Sequence, residues 1–324
     1  MKILVTGSFG NVGSSVLDAL VSKKHQITCY DKKTLENLKT SRKYKKFVKI
    51  IWGDIRDYKK VESVVENQDV IIHLAAIVPP KTIKNERKTE QVNFGGTKNI
   101  VEAIKKQPNK PKLIYTSSVA VYGDVRNKKS PILTEDAPYN PSPSDFYAVT
   151  KINSEKLIKK SSIQWSIFRL SYIPNSKQIK LTPLMFRMPL DTPIEFTLSQ
   201  DCGVALANAV DKKEIWGHII NLGGGKNCQI YYRDYLNKML PLLGVELLPD
   251  SAFSTESFHC CFYKTDEIQK LLKFQKHNFD DLINEMVTNA RSKRFWAKLF
   301  KPVVRPFLLS LSPFYKENKK SQKK

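Results

Sequence analysis

The first 31 residues hold the tightest constraint on the fold. A short apolar run, KILVT at residues 2–6, leads into three glycines, Gly7, Gly10 and Gly13. The next apolar residues, Val12, Val16, Leu17, Leu20 and Val21, recur at helical spacing. A second apolar run, QITCYD, closes on Asp31. The order is strand, glycine turn, helix, strand. A helix start presents unpaired N–H groups and the positive end of the helix dipole. Glycine there permits the tight turn, lets a pyrophosphate approach the backbone, and brings the helix close to the sheet. Asp31 is placed to accept the hydroxyls of an adenosine ribose, which favours NAD. Lys32 and Lys33 follow at once and leave NADP open, since a cation suits a 2′-phosphate.

The alternation continues along the chain. Strands are expected at 47–54, 69–76, 112–118 and 164–171, with helices at 57–66, 90–106 and 147–161. Such alternation predicts a parallel sheet covered by helices on both faces. Ligands of these sheets lie at the carboxyl ends of the strands. Asp31, Asp54, Ala75, Ala76, Ser117 and Ser118 fall at those ends.

Tyr147 and Lys151 are spaced by four, which puts them on one face of a helix. A nearby ammonium favours a phenolate and is expected to bring the tyrosine down from its ordinary value toward neutral pH. A phenol so tuned is a general acid/base. Ser118, at a strand end, can hydrogen-bond a carbinol or carbonyl oxygen. Together they suit hydride transfer between a nicotinamide and a C–OH/C=O group, with Tyr147 handling the proton.

Composition narrows the class. In 324 residues there are five cysteines and five histidines, without the spacing of a disulfide framework or a zinc site, so no metal is expected. The start carries no signal-peptide pattern, and no apolar run reaches membrane-spanning length. A cytoplasmic location is the expectation. The net charge of +23 is spread as lysine along the chain without a recognition motif. That pattern argues for a solvated surface and against specific nucleic-acid binding.

The chain resembles the extended short-chain dehydrogenase/reductases, the NAD-dependent epimerase/dehydratase group. The matching stretches are TGSFGNVG (6–13), GDIRD (53–57), HLAA (73–76), VNFGGT (92–97), YTSSVAVYG (115–123), YAVTK (147–151) and INLGGG (220–225). They keep the family's order over roughly residues 1–285. The resemblance implies a Rossmann doubly wound parallel sheet with a smaller C-terminal α/β substrate lobe. Residues 1–170, with about 201–223, would bind the dinucleotide. Residues 171–200 and 224–289 would form the substrate lobe. It further implies that Gly7, Gly10 and Gly13 contact pyrophosphate, that Asp31 holds the ribose, and that Asp54 and Ile55 flank the adenine. Ala75 and Ala76 would line the cofactor path, and Asn93 would support the sheet and active-site waters. Ser118, Tyr147 and Lys151 would be catalytic, with Lys151 also gripping the nicotinamide ribose. The implied reaction is oxidation, reduction or epimerisation of a secondary alcohol or ketone on a small-molecule substrate, a sugar or nucleotide sugar first. A homodimer through the helices after Asn93 and Tyr147 is implied as well. Relatives that only sense the dinucleotide have typically lost the Tyr/Lys pair, which is intact here.

Three departures bear on the substrate. Val119-Ala120 stand where dehydratases of this group carry Asp-Glu. Tyr172 stands where 4-epimerases usually have asparagine, and Ile194 where many members have an arginine that grips a substrate diphosphate. Arg187, Lys180 or Lys226 are the candidate replacements, and a reductase of a non-nucleotide carbonyl compound is the alternative. Leu184, Met185, Phe186 and Met188 form either an apolar substrate lid or core packing.

Residues 290–324 read as a basic amphipathic tail. From 291 onward there are eleven Lys/Arg and one acid. Phe295, Trp296, Leu299, Phe300 and Val303 fall on one helical face, and Pro302 and Pro306 are expected to break the helix. The pattern fits peripheral contact with the inner membrane face through 291–315, and equally a helix docked on the protein's own body. The last nine residues are expected to be disordered.

Overall fold

A computed structural model describes residues 1–82, 85–143, 145–176, 183–291 and 301–315. Seven parallel strands form the central sheet: β1 (Lys2–Thr6), β2 (Gln26–Asp31), β3 (Lys49–Trp52), β4 (Val70–His73), β5 (Lys112–Ser118), β6 (Trp165–Leu170) and β7 (Ile219–Leu222). Their spatial order is β3-β2-β1-β4-β5-β6-β7. The order reverses direction between β1 and β4, which makes the crevice between their carboxyl ends the place for a ligand. The Rossmann expectation is met.

The strands read as continuous apolar runs because both faces are covered. Side chains alternate between the faces. Ile3 and Val5 pack with Val16, Leu17 and Leu20 of α1 (Asn11–Val21) and with Cys202 and Leu206 further along the chain. Leu4, Ile71 and Leu113 turn the other way, onto Val61, Ile100, Ile104 and Ile158.

The helices of the sheet layer are α1, α2 (Leu35–Ser41), α3 (Tyr58–Val65), α4 (Glu86–Glu90), α5 (Gly96–Lys106), α6 (Phe146–Lys159) and α7 (Ser199–Ala209). Two of these differ from expectation. α2 has no counterpart in the sequence reading, because its leading Leu35 is exposed and only Ser41 is buried. The helix expected at 90–106 is instead α4, a π-turn at Gln91–Gly95, and α5. The wider turn holds Asn93, which is buried.

The second lobe has its own core. Pro193–Glu195 pairs antiparallel with Gln229–Tyr231, and Ile132–Leu133 pairs with Phe262–Tyr263. Helices Tyr232–Leu242 and Phe279–Asn289 close over them. Phe186 and Met188 are buried in that core, which assigns PLMFRM to packing.

The end of the chain carries a helix at Lys301–Ser310. Pro306 lies inside it and does not break it, contrary to expectation. Leu308 and Leu309 are buried in the second lobe, a contribution of about 1.5–3 kcal/mol each. Ser312 Oγ donates to the Ala252 carbonyl at 2.5 Å. The described part of the tail is therefore docked on the body, because its apolar side matches an open edge of that core. Phe295, Trp296, Leu299 and Phe300 lie outside the described residues. No helix among the described residues is long and apolar enough to cross a membrane.

Candidate active site

The glycine loop joins β1 to α1. Gly7 adopts a φ of +68°, and a Cβ there would lie 2.8 Å from the Ala75 nitrogen. A Cβ on Gly13 would lie 2.2 Å from the Gly7 oxygen. These two glycines are required by the protein itself. Gly10 differs: its Cβ position meets the Gly7 oxygen at 3.4 Å and otherwise open space. Gly10 also caps α1 without a side chain, and the first turn of α1 carries no acid. The first amides of a helix lack internal acceptors. The loop thus presents donors to a surface left open for an anion.

Asp31 ends β2 beside this loop. Its Oδ2 accepts from Phe9 N–H at 2.9 Å and its Oδ1 from Lys32 N–H at 2.7 Å. Burial pushes its carboxyl up, and these bonds oppose the push. Asp54 lies past the end of β3 and is already paired, with Arg56 at 2.8 Å and Lys32 at 3.1 Å. The Arg56 hydrogen bonds hold its carboxyl well below the usual range. Ile55 turns its side chain into the core. Ala75 N–H reaches Thr6 Oγ1 at 3.3 Å, and Ala76 follows in the same loop after β4. Asn93 clamps that loop from both sides: its Oδ1 accepts from Ile77 N–H at 2.7 Å, and its amide donates to the Ile77 carbonyl at 3.0 Å.

Ser118, Tyr147 and Lys151 come together where β5 meets α6. Asp145 caps α6 by accepting from Ala148 N–H at 3.0 Å, and its second oxygen lies against Nδ1 of His259 of the second lobe. The Ser118 hydroxyl neighbours the Tyr147 phenol. Lys151 is buried, and its Nζ donates to the Thr116 carbonyl at 2.7 Å and lies 5.8 Å from the Tyr147 ring centre.

The electrostatics correct one expectation. Burial pushes the Tyr147 phenol up to about 12, the neighbouring Ser118 hydroxyl opposing it. Burial also brings Lys151 down to about 8. Desolvation dominates at both groups, contrary to the lowering of the phenol expected from their spacing.

Several residues of the site were not found by sequence reading. His73 bridges Thr6 Oγ1 (2.7 Å) and Thr97 Oγ1 (3.1 Å), and burial holds it neutral, near 3. Glu155 and Arg169 form a buried ion pair at 2.8 Å. Arg169 continues to the Tyr122 hydroxyl at 2.6 Å, and Tyr122 to Asn221 at 2.7 Å. The spacing of Glu155, one turn beyond Lys151, was the available signal. Of the residues at the expected diphosphate clamp, Ile194 is buried in the second lobe, while Arg187 and Lys226 are exposed. Lys180 lies outside the described residues.

Known proteins place this site in a family. The 3-beta hydroxysteroid dehydrogenase/isomerase family profile matches residues 4–166. The UDP-N-acetyl-alpha-D-glucosaminuronate decarboxylase of Bacillus cytotoxicus is 34% identical over 137 residues, 42% of this chain and 40% of that protein. The UDP-glucose 4-epimerase of Lactobacillus helveticus is 31% identical over 176 residues, 52% and 51% of the two chains. The chain spans about half the length, or less, of these curated relatives. The crystal structure of a dTDP-glucose 4,6-dehydratase from Bacillus anthracis in complex with NAD superposes with a TM-score of 0.74, at 20% identity, over 91% of this chain and 98% of that one. The matched profile covers the first five strands of the sheet, the glycine loop and the Ser118–Tyr147–Lys151 cluster, and the chain belongs to the 3-beta hydroxysteroid dehydrogenase/isomerase family of extended short-chain dehydrogenase/reductases.

Proposed function

We propose that this protein is an NAD-dependent oxidoreductase or epimerase acting at a secondary alcohol or ketone carbon, on a sugar or nucleotide sugar. The observation that carries the reading is the meeting of Ser118, Tyr147 and Lys151 at the sheet edge that also holds the open glycine loop. The residues present fit a dinucleotide. Gly10 leaves a surface that a Cβ would intrude upon, the start of α1 has amides to donate, and Asp31 closes the far side. Lys32 supports NAD over NADP, since its ammonium is turned to Asp54.

The nicotinamide supplies the hydride chemistry when bound. Ser118 and Tyr147 hold the substrate oxygen, and Tyr147 Oη takes or gives its proton. Lys151 holds positive charge beside that phenol and favours its ionised form. The loop after β4, fixed by Asn93, walls the site.

A second reading, reduction of a non-nucleotide carbonyl compound, is favoured by Ile194, a buried apolar residue at the position where the resemblance puts a diphosphate-gripping arginine. The wider proposal includes a homodimer through α5 and α6. It also includes contact with an anionic bilayer through 291–315, supported by Val303 and Phe307, which are 63% and 59% exposed one turn apart.

Thermal shift tests the core of the proposal. NAD should raise the melting temperature more than NADP does, by mass action on the folded state. A further rise with one UDP-, GDP- or dTDP-sugar supports the nucleotide-sugar reading. A response to NAD alone supports the second. No response to either dinucleotide would overturn both.

A further inference from the structure

Two acids and two cations meet where β2 and β3 end. The Gly53 N–H donates to the Asp31 carbonyl at 2.9 Å, which brings the chain at Asp54 alongside the end of β2. Lys32 follows Asp31 and has a fixed backbone. Its N–H donates to Asp31 Oδ1 at 2.7 Å, and its carbonyl accepts from the Thr34 N–H at 2.9 Å and the Asn37 amide at 2.8 Å. From there the Lys32 Nζ reaches Asp54 Oδ2 at 3.1 Å. Arg56 grips the same carboxylate: its N–H and Nε donate to Oδ1 at 3.1 and 3.0 Å, and its Nη2 to Oδ2 at 2.8 Å. Arg56 has a second anchor in Gln91 Oε1 at 3.4 Å. Among the described residues the Lys32 ammonium is held by Asp54 alone.

We propose that Asp54 decides between the two dinucleotides, by holding Lys32 away from a 2′-phosphate and cancelling its charge. This rests on the reading above in which Asp31 holds the adenosine ribose. The corner is balanced as it stands, with Asp31 and Asp54 against Lys32 and Arg56. A ribose hydroxyl suits such a balance. A 2′-phosphate brings about two further negative charges, which need a cation turned toward them. Lys32 is the cation able to turn, since Arg56 is tied at both ends of its guanidinium. While Asp54 is charged, turning Lys32 toward a phosphate gives up one ion pair and leaves a second carboxylate repelling the ligand. Asp54 thus acts in this chain through its neighbours' charges, and its oxygens are already occupied by them.

Titration calorimetry of the full-length protein with NAD and NADP, at one ionic strength, tests this without any substrate. Asp54→Asn keeps the shape and removes the charge. It should tighten NADP by about fivefold or more and leave NAD within about threefold. Lys32→Met should cost NADP at least about threefold more in the Asp54→Asn background than in the wild type, because only there is the ammonium released. An unmoved ratio of NADP to NAD affinity in Asp54→Asn would overturn the proposal. So would a parallel fall in both affinities, which would make Asp54 a general support of the site. Lys32→Met alone decides the matter if Asp54→Asn does not fold: a loss of NADP affinity of about tenfold would show that Lys32 already serves the phosphate, and little change supports its being withheld. Failure of the wild type to bind either dinucleotide would fail the oxidoreductase reading itself. NAD binding with an unmoved ratio fails this inference alone.

Discussion

Asp31 Oδ2 accepts a hydrogen bond from the Phe9 amide at 2.9 Å, so the end of β2 and the glycine loop are held as one unit. Asp31→Ala removes that tie together with the proposed acceptor for a ribose. It should weaken NAD by about tenfold or more, the scale of one charged hydrogen bond, and weaken NADP less. Titration calorimetry with both dinucleotides measures this. A greater loss for NADP would contradict the choice of NAD.

The loop glycines should separate. Gly13→Ala forces a Cβ into the Gly7 carbonyl and should cost about 1–3 kcal/mol of stability. Gly10→Ala should fold with nearly the wild-type melting temperature and still bind NAD more weakly. Equal melting temperatures for the two variants would show that the loop relaxes freely.

Tyr147→Phe should retain NAD binding and lose turnover by about a hundredfold or more, once a substrate is in hand. Near-complete activity would remove Tyr147 from the proton-handling role.

Lys151 also predicts a pH dependence of stability. Its folded value, about 8, lies below its ordinary 10.5. Between those values the unfolded chain binds the extra proton, so folding stability from this group rises as pH rises. Relative to Lys151→Met, the wild type should gain up to about 3 kcal/mol from pH 8 to 10.5 in urea unfolding. A flat difference would show that Lys151 is not destabilised by burial.

The tail offers a surface test. Val303→Glu/Phe307→Glu alters two exposed side chains and spares the buried Leu308 and Leu309. Sedimentation with phosphatidylserine vesicles should fall several-fold in the double variant if the outer face meets lipid. Unchanged sedimentation would remove that face from the account.

The sheet and the dinucleotide loop were legible in the sequence because both are local. Strand and helix alternate within stretches shorter than about thirty residues, and glycine spacing reports backbone geometry directly. The same holds for Tyr147 and Lys151, one turn apart on α6. The tertiary structure alone decided what surrounds them. The Glu155–Arg169 pair joins a helix to a strand that only the sheet order brings beside it. The docking of 301–315 depends on a core edge built from distant segments, so its apolar pattern read equally as a membrane face. The ionisation of Tyr147 was misjudged from spacing, since burial is set by everything packed around a residue and not by its neighbours in the chain.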